Sequence, residues 1–193
     1  MHLKFAVTIL VLNFTLLLHP VRAQETLFES ARLGPTNQFG TGIAIAPSQF
    51  VGVRFHLEHS ALVTAVGGHL VNYGFLSGVP FNAVIVRLPN HSALPAGNPF
   101  TPEEVAVVAP CTLVSNFSMD YIFPLTAELP AGHYALVYAG AQVNAAMIEE
   151  NESINHSSYI IWDPQGWRDY PNLGNGKNAL PEYRFTIYGN YEQ

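Results

Sequence analysis

The chain has 193 residues, 49% of them hydrophobic and only 11% charged. A typical soluble domain carries about 25% charged residues, so something other than ion pairs must hydrate this surface. Lys plus Arg number 8 against 14 Asp plus Glu, a net charge of −6. That excludes nucleic-acid binding through a basic, phosphate-neutralising face, and the apolar fraction with 12% aromatics excludes a disordered chain.

The first segment reads as a secretory signal. Met1 to Lys4 is a short basic start, Phe5 to Leu18 is an apolar run, His19-Pro20 breaks it, and Val21-Arg22-Ala23 offers a cleavage site. The run is shorter than the roughly 20 apolar residues a membrane span needs. Removing residues 1–23 leaves a mature chain of 170 residues beginning at Gln24. Loss of Lys4 and Arg22 takes the net charge from −6 to −8 and leaves Lys177 as the only lysine. No second apolar run of spanning length follows, and Tyr191-Glu192-Gln193 carries no hydrophobic lipid-anchor signal. The expectation is one extracellular domain, residues 24–193, with no membrane span.

Beyond the signal the hydrophobic period is two. In Val51-Gly-Val-Arg-Phe-His-Leu-Glu58, Val51, Val53, Phe55 and Leu57 face one way, and Gly52, Arg54, His56 and Glu58 the other. Such alternation marks a strand with one buried face. Phe39–Ile45 precedes it as a further strand. Others are expected at Ala61–Tyr73, Phe81–Leu88, Val105–Val114 (broken at Pro110), Met119–Leu125, His133–Ala139, Tyr159–Trp162 and Tyr183–Tyr188. Gly67-Gly68 before His69 predicts a bulge or bend. Only Ala141–Glu150 offers a helical alternative. Ala46-Pro47-Ser48, Ser77 to Pro80, Leu129 to Gly132 and Asn172 to Asn178 supply turns, and Pro89–Pro102 is the longest Pro-rich loop, a surface excursion. About nine strands without βα alternation predict an all-β fold, a single antiparallel, jelly-roll-like β-sandwich.

The single cysteine, Cys111, excludes an intrachain disulfide or a thiolate metal site. Its surroundings, Pro110 and Thr112-Leu113-Val114, favour a buried free thiol at a strand edge over a bridge to another chain. The core must therefore hold the fold. Four mature N-glycosylation sequons begin at Asn90, Asn116, Asn151 and Asn155, against about 1.4 expected from composition. Asn90, Asn151 and Asn155 lie in polar stretches that read as accessible; Asn116 borders a strand. Attached glycans would supply the hydration that charges do not.

A resemblance rests on the series Gln49 to Phe55, Val63 to Leu70, Phe81 to Leu88, Leu129 to Tyr138 and Tyr183 to Gly189. Together these resemble secreted β-sandwich proteins of unknown function, best represented among bacterial exported proteins with a PEP-CTERM sorting tail. The likeness covers roughly residues 38–190 and implies the fold without implying any chemistry. The sorting tail has no counterpart in this sequence, and the sequons point to a eukaryotic secretory route.

Candidate chemistry is sparse. His56-Leu-Glu-His59 is the nearest approach to a metal motif, but on a strand the two histidines face opposite ways. His56 with Glu58 alone is a poor site, so no metal or cofactor is expected. His69 reads as a structural hydrogen-bonding group. There is no Gly-x-Ser-x-Gly elbow, and Cys111 has no charged neighbour to activate it. Glu103-Glu104 and Glu149-Glu150 read as solvated turn acids. The densest feature is Trp162-Asp163-Pro-Gln-Gly-Trp167-Arg168-Asp169-Tyr170. Flat aromatics beside carboxylates and a guanidinium are what a sugar-binding loop uses; the alternative is an aromatic plug closing one end of the sandwich.

No residue is expected to be catalytic. The function expected is that of a secreted, N-glycosylated, non-enzymatic structural or matrix-associated protein, with extracellular matrix components or glycans as partners. The alternative is a carbohydrate-binding module using the aromatic loop. A glycosidase-type enzyme ranks third, because no pair of acids is placed by the sequence.

Overall fold

A computed structural model of the chain describes residues 24–74, 78–141, 145–148, 151–154, 158–170 and 182–192. Residues 1–23, read as a signal, Asn155, Glu149-Glu150 and residues 172–178, read as a turn, lie outside these residues. Every regular element among them is a strand: β1 (Glu25–Glu29), β2 (Ala31–Arg32), β3 (Gly42–Ile45), β4 (Phe50–Leu57), β5 (Ala61–Asn72), β6 (Val79–Leu88), β7 (Val105–Leu113), β8 (Met119–Leu129), β9 (Gly132–Ala139), β10 (Ala145–Ile148), β11 (Glu152–Ser153), β12 (Tyr159–Asp163), β13 (Gly166–Asp169) and β14 (Phe185–Tyr191). No helix among them is long and apolar enough to cross a membrane.

The strands form two six-stranded antiparallel sheets and a two-stranded ribbon of β2 with β11. The long strand β5 organises the first sheet. One edge pairs with β8; the other pairs with β14 over Ala61–Gly68 and then with β10 over Leu70–Asn72. β1 lies outside β14, and β3 outside β10. The second sheet runs β13-β12-β4-β9-β6-β7. This is the all-β sandwich that the period-two pattern predicts.

The alternation in β4 is realised as read: Val51, Val53, Phe55 and Leu57 enter the core between the sheets. Large rings fill its centre. Tyr138 of β9 stacks on Phe185 of β14 with centroids 5.2 Å apart, and meets Phe81 of β6 edge-on at 5.4 Å. Glycines make this approach possible. A Cβ on Gly68 would lie 2.6 Å from the Arg184 carbonyl oxygen and 3.4 Å from the Tyr138 ring; one on Gly67 would lie 2.4 Å from the Tyr121 carbonyl. Gly67-Gly68 thus serves close packing of strand on strand. The register slips of β5 fall elsewhere, around Val63 to Ala65.

Other expectations need correction. β7 continues through Pro110, because it pairs only with β6 and an edge strand can spare one N–H. β8, also an edge, continues through Pro124 to Leu129. Ala145–Ile148 is a strand rather than part of a helix. Both of its faces are covered: Ala145 and Met147 face the core, while Ala146 and Ile148 pack with Val71 on the other side. Burial on two faces erases the alternation by which a strand is recognised. The Pro-rich loop is a third layer. Residues 89–104 fold back as a flap over the outer face of the second sheet, where Phe50, Val84, Val86, Leu88, Val137 and Ile160 form a second apolar cluster.

Candidate functional site

The aromatic segment lies where that flap meets the sheet edge. It is a hairpin rather than a loop: β12 and β13 pair with Trp162 opposite Trp167 and Asp163 opposite Gly166, around a Pro164-Gln165 turn. The Asp163 carboxylate accepts the Gln165 N–H at 2.9 Å. Gly166 sits at φ 105°, a conformation only glycine adopts without strain. Cross-strand pairing puts both indoles on the outer face, half-buried against the second cluster. Trp162 stacks on Phe50 at 4.6 Å, and Trp167 contacts Phe100 of the flap at 5.6 Å. Both ring N–H groups are used: Trp162 Nε1 donates to Asn98 Oδ1 at 2.8 Å and Trp167 Nε1 to the Pro99 carbonyl at 2.6 Å.

The charges around the hairpin do similar work. Arg54, with a side chain 6% exposed, donates from Nε to the Ala93 carbonyl at 2.8 Å and from Nη1 to Ser158 Oγ. Its Nη2 pairs with Asp169 Oδ1 at 2.7 Å. A guanidinium buried under the flap thus holds both the flap and the hairpin, with a carboxylate to neutralise it. Arg168 and Asp163 pair at 2.5 Å on the solvent side of the hairpin. That hydrogen bond holds the Asp163 carboxyl below the usual range. Tyr170 turns inward, edge-on to Tyr183 at 5.9 Å and packed on the main core. The far end of the flap closes on Glu104, whose carboxylate accepts N–H groups from Ala96 at 2.7 Å, Gly97 at 3.1 Å and Thr101 at 2.7 Å. Read in sequence as a solvated turn acid, Glu104 is half-buried and ties the flap into a closed turn.

A second polar cluster lies on the outer face of the first sheet. Arg184, just before β14, reaches Glu29 Oε1 at 2.9 Å and pairs with Asp120 on β8, across β5. Burial pushes the Asp120 carboxyl up from its ordinary value, and Arg184 opposes that push. One guanidinium thus bridges two carboxylates and ties β1 and β8 to the start of β14. Beside them His69, fully buried, has Nδ1 2.7 Å from Asn151 Oδ1. The same oxygen accepts the Gly34 N–H at 3.0 Å, while Asn151 Nδ2 donates to the carbonyls of Ile148 at 2.8 Å and Glu182 at 2.9 Å.

This placement changes the reading of the sequons. Asn151, half-buried, donates both hydrogens of Nδ2, the atom a glycan would occupy, within the fold. Asn90 is exposed at the start of the flap, its Oδ1 accepting the Ser92 N–H at 3.0 Å and hydroxyl at 2.9 Å. Asn116 is exposed in the turn between β7 and β8. Cys111 is a buried free thiol on the core face of β7, pushed up to about 12 by burial. His56 and His59 part company as strand geometry requires. His59 lies beyond β4 against Tyr191, whereas His56 stacks on His133 of β9 with ring centroids 4.5 Å apart. Among the described residues, no group of three or more His, Cys, Asp or Glu side chains could hold a metal ion. No protein-family model matches this chain, and no curated protein matches its sequence.

Proposed function

We propose that this is a secreted, N-glycosylated, non-enzymatic protein, a structural or matrix-associated component of the extracellular space. One observation carries the reading: side chains with chemistry to offer are spent holding layers together. Trp162, Trp167, Arg54 and Glu104 fasten the flap. Arg184 joins β1 and β8 to β14, and His69 with Asn151 ties β5 to the segments around it.

What remains for contact with a matrix is an apolar end. Phe39 is 66% exposed, Val114 69% and Phe117 41%, with the Phe39 and Phe117 rings 5.2 Å apart. Their segments are joined by hydrogen bonds from Asn37 N–H to the Ser118 carbonyl and from Ser118 N–H to the Gln38 carbonyl. Clustered exposed aromatics and aliphatics of this kind mark interaction surfaces. The test is to express the full chain in secreting animal cells and separate the medium from insoluble extracellular material. The expected result is protein in the insoluble fraction, shifted to the medium by Phe39→Ser with Val114→Ser. Retention inside the cell, or wild-type protein wholly in the fluid, contradicts the reading.

Glycan binding is the second reading, favoured by the two half-exposed indoles side by side on one face. A glycan array separates the two. Binding lost in Trp167→Ala but kept in Glu104→Ala, which loosens the same flap, selects it.

A further inference from the structure

Three of the five histidines among the described residues stand at the corner of the second sheet where the flap begins. His56 on β4 and His133 on β9 are direct cross-strand partners, and their rings stack with centroids 4.5 Å apart. His91, on the flap, has its ring 6.2 Å from that of His133. We propose that this cluster is an acid-sensitive latch: the closed flap accommodates neutral rings, and their protonation in mildly acidic solution releases the flap from the sheet.

Two features make the closed form a poor acceptor of protons. Imidazole is the side chain whose charge ordinarily changes between about pH 5 and 8. Rings stacked at 4.5 Å cannot both become cations without like-charge repulsion, and His91 brings a third charge beside them. The second feature is His133 Nδ1, buried with no hydrogen-bond partner among the described residues. A neutral ring can leave that nitrogen bare, whereas an imidazolium carries N–H on both nitrogens. A proton added to the closed form therefore buries a charged donor without an acceptor. With the flap lifted, the two sheet histidines can swing apart into water and Nδ1 can be hydrated. The open form thus binds more protons than the closed one, and falling pH shifts the equilibrium toward it.

The charges around the cluster leave this repulsion standing. Arg54, two residues before His56 on the same face of β4, is matched by Asp169 of the hairpin at 2.7 Å. Glu58, two residues after His56, is exposed, where water screens its pull. On β6, Leu88 lies opposite His133, while Arg87 beside it turns to the other face and hydrogen-bonds Tyr134. On the flap, the Glu104 carboxylate is taken up by three amides and Glu103 is exposed. The flap is also fastened at this corner. Arg54 Nε holds the Ala93 carbonyl at 2.8 Å, two residues beyond His91, and Ala93 and Leu94 pack on the apolar cluster that includes Leu88. Lifting this limb uncovers that cluster and frees the indoles at its edge.

The chain has only two tryptophans, Trp162 and Trp167, and both donate their indole N–H to the flap, at Asn98 and Pro99. Hydrogen exchange at these two indoles, followed by NMR on the purified full chain, therefore reads flap opening directly. Protection factors, which remove the intrinsic pH dependence of exchange, should fall about tenfold between about pH 7.5 and 5.5, equivalent to one pH unit of coupling. That window lies above the one in which carboxylates ordinarily take up protons. Protection of the Val66 and Ile187 amides in the first sheet should stay unchanged, which separates flap release from unfolding. His56→Gln combined with His91→Gln, both at exposed positions, should cut the fall to about threefold or less, half of that coupling. His59→Gln, away from the cluster against Tyr191, should leave the fall as in wild type. Wild-type indole protection that does not fall, a fall shared by Val66 and Ile187, or a fall undiminished in the double variant overturns the proposal.

Discussion

Individual side chains carry two predictions. Cys111 is buried in the core with its thiol pushed up to about 12, whereas an unfolded thiol titrates near about 8.5. Below about 8.5 both states keep the proton and the full stabilisation is present. As pH rises from there toward the folded value, the unfolded chain loses a proton that the folded chain keeps, so stability falls. Cys111→Ala should flatten the alkaline decline of the melting temperature between about pH 8.5 and 10. Wild-type protein at pH 8 should react with a thiol reagent only after denaturant is added. Asn151 supplies the second prediction. Enzymatic release of glycans in water enriched in the heavy oxygen isotope, followed by residue-resolved mass spectrometry, should mark Asn90 and Asn116. It should leave Asn151 unmarked, because its amide nitrogen already donates twice within the fold. A marked Asn151 would mean that the His69–Asn151 cluster is not formed in the expressed protein.

Among the elements, the flap and the close-packed strands are the sensitive ones. Glu104→Ala removes three charge-assisted hydrogen bonds from a half-buried turn, and should cost about 1–3 kcal/mol. Trp167→Ala removes a ring packed on Phe100 and a donor to Pro99. It should cost about 2 kcal/mol or more, with the loss appearing as flap mobility before global unfolding. Gly68→Ala is different in kind. Its Cβ would meet backbone, the Arg184 carbonyl at 2.6 Å, so β5 and β14 must separate. A loss of about 1–3 kcal/mol is expected, read from a chemical denaturation midpoint. An unchanged midpoint would show that the strands approach less closely than this.

At the scale of the whole molecule, legibility followed residue pattern rather than burial: β4 and β9 read as strands although the flap covers their outer faces, and Ala145–Ile148 did not. Val51 to Leu57 announces itself because its outward residues include Arg54 and His56. Ala145 to Ile148 does not, because the residues it turns to either side are all apolar. β13 was hidden for another reason. Trp167 and Arg168 read as loop residues until β12 is opposite them, and Pro-Gln is not a turn dipeptide that advertises a hairpin. The candidate site divides in the same way. That Trp162, Asp163, Trp167, Arg168 and Asp169 lie close together could be read from their crowding, but Tyr170 turns away from them into the main core. Their partners could not: Asn98, Pro99 and Arg54 lie far away along the chain. The pairing of His56 with His133 needed the β4–β9 register, which no local pattern encodes.

The central claim is that the aromatic hairpin and the Pro-rich loop form one closed structural layer. Amide hydrogen exchange over residues 89–104, read by NMR on the purified protein, tests it most directly. Slow exchange is expected at Ala96, Gly97 and Thr101 in wild type, lost in Glu104→Ala and in Trp167→Ala. Unprotected exchange at those three amides in wild type would contradict it, since the flap would then stand open and the indoles would be free to meet a ligand.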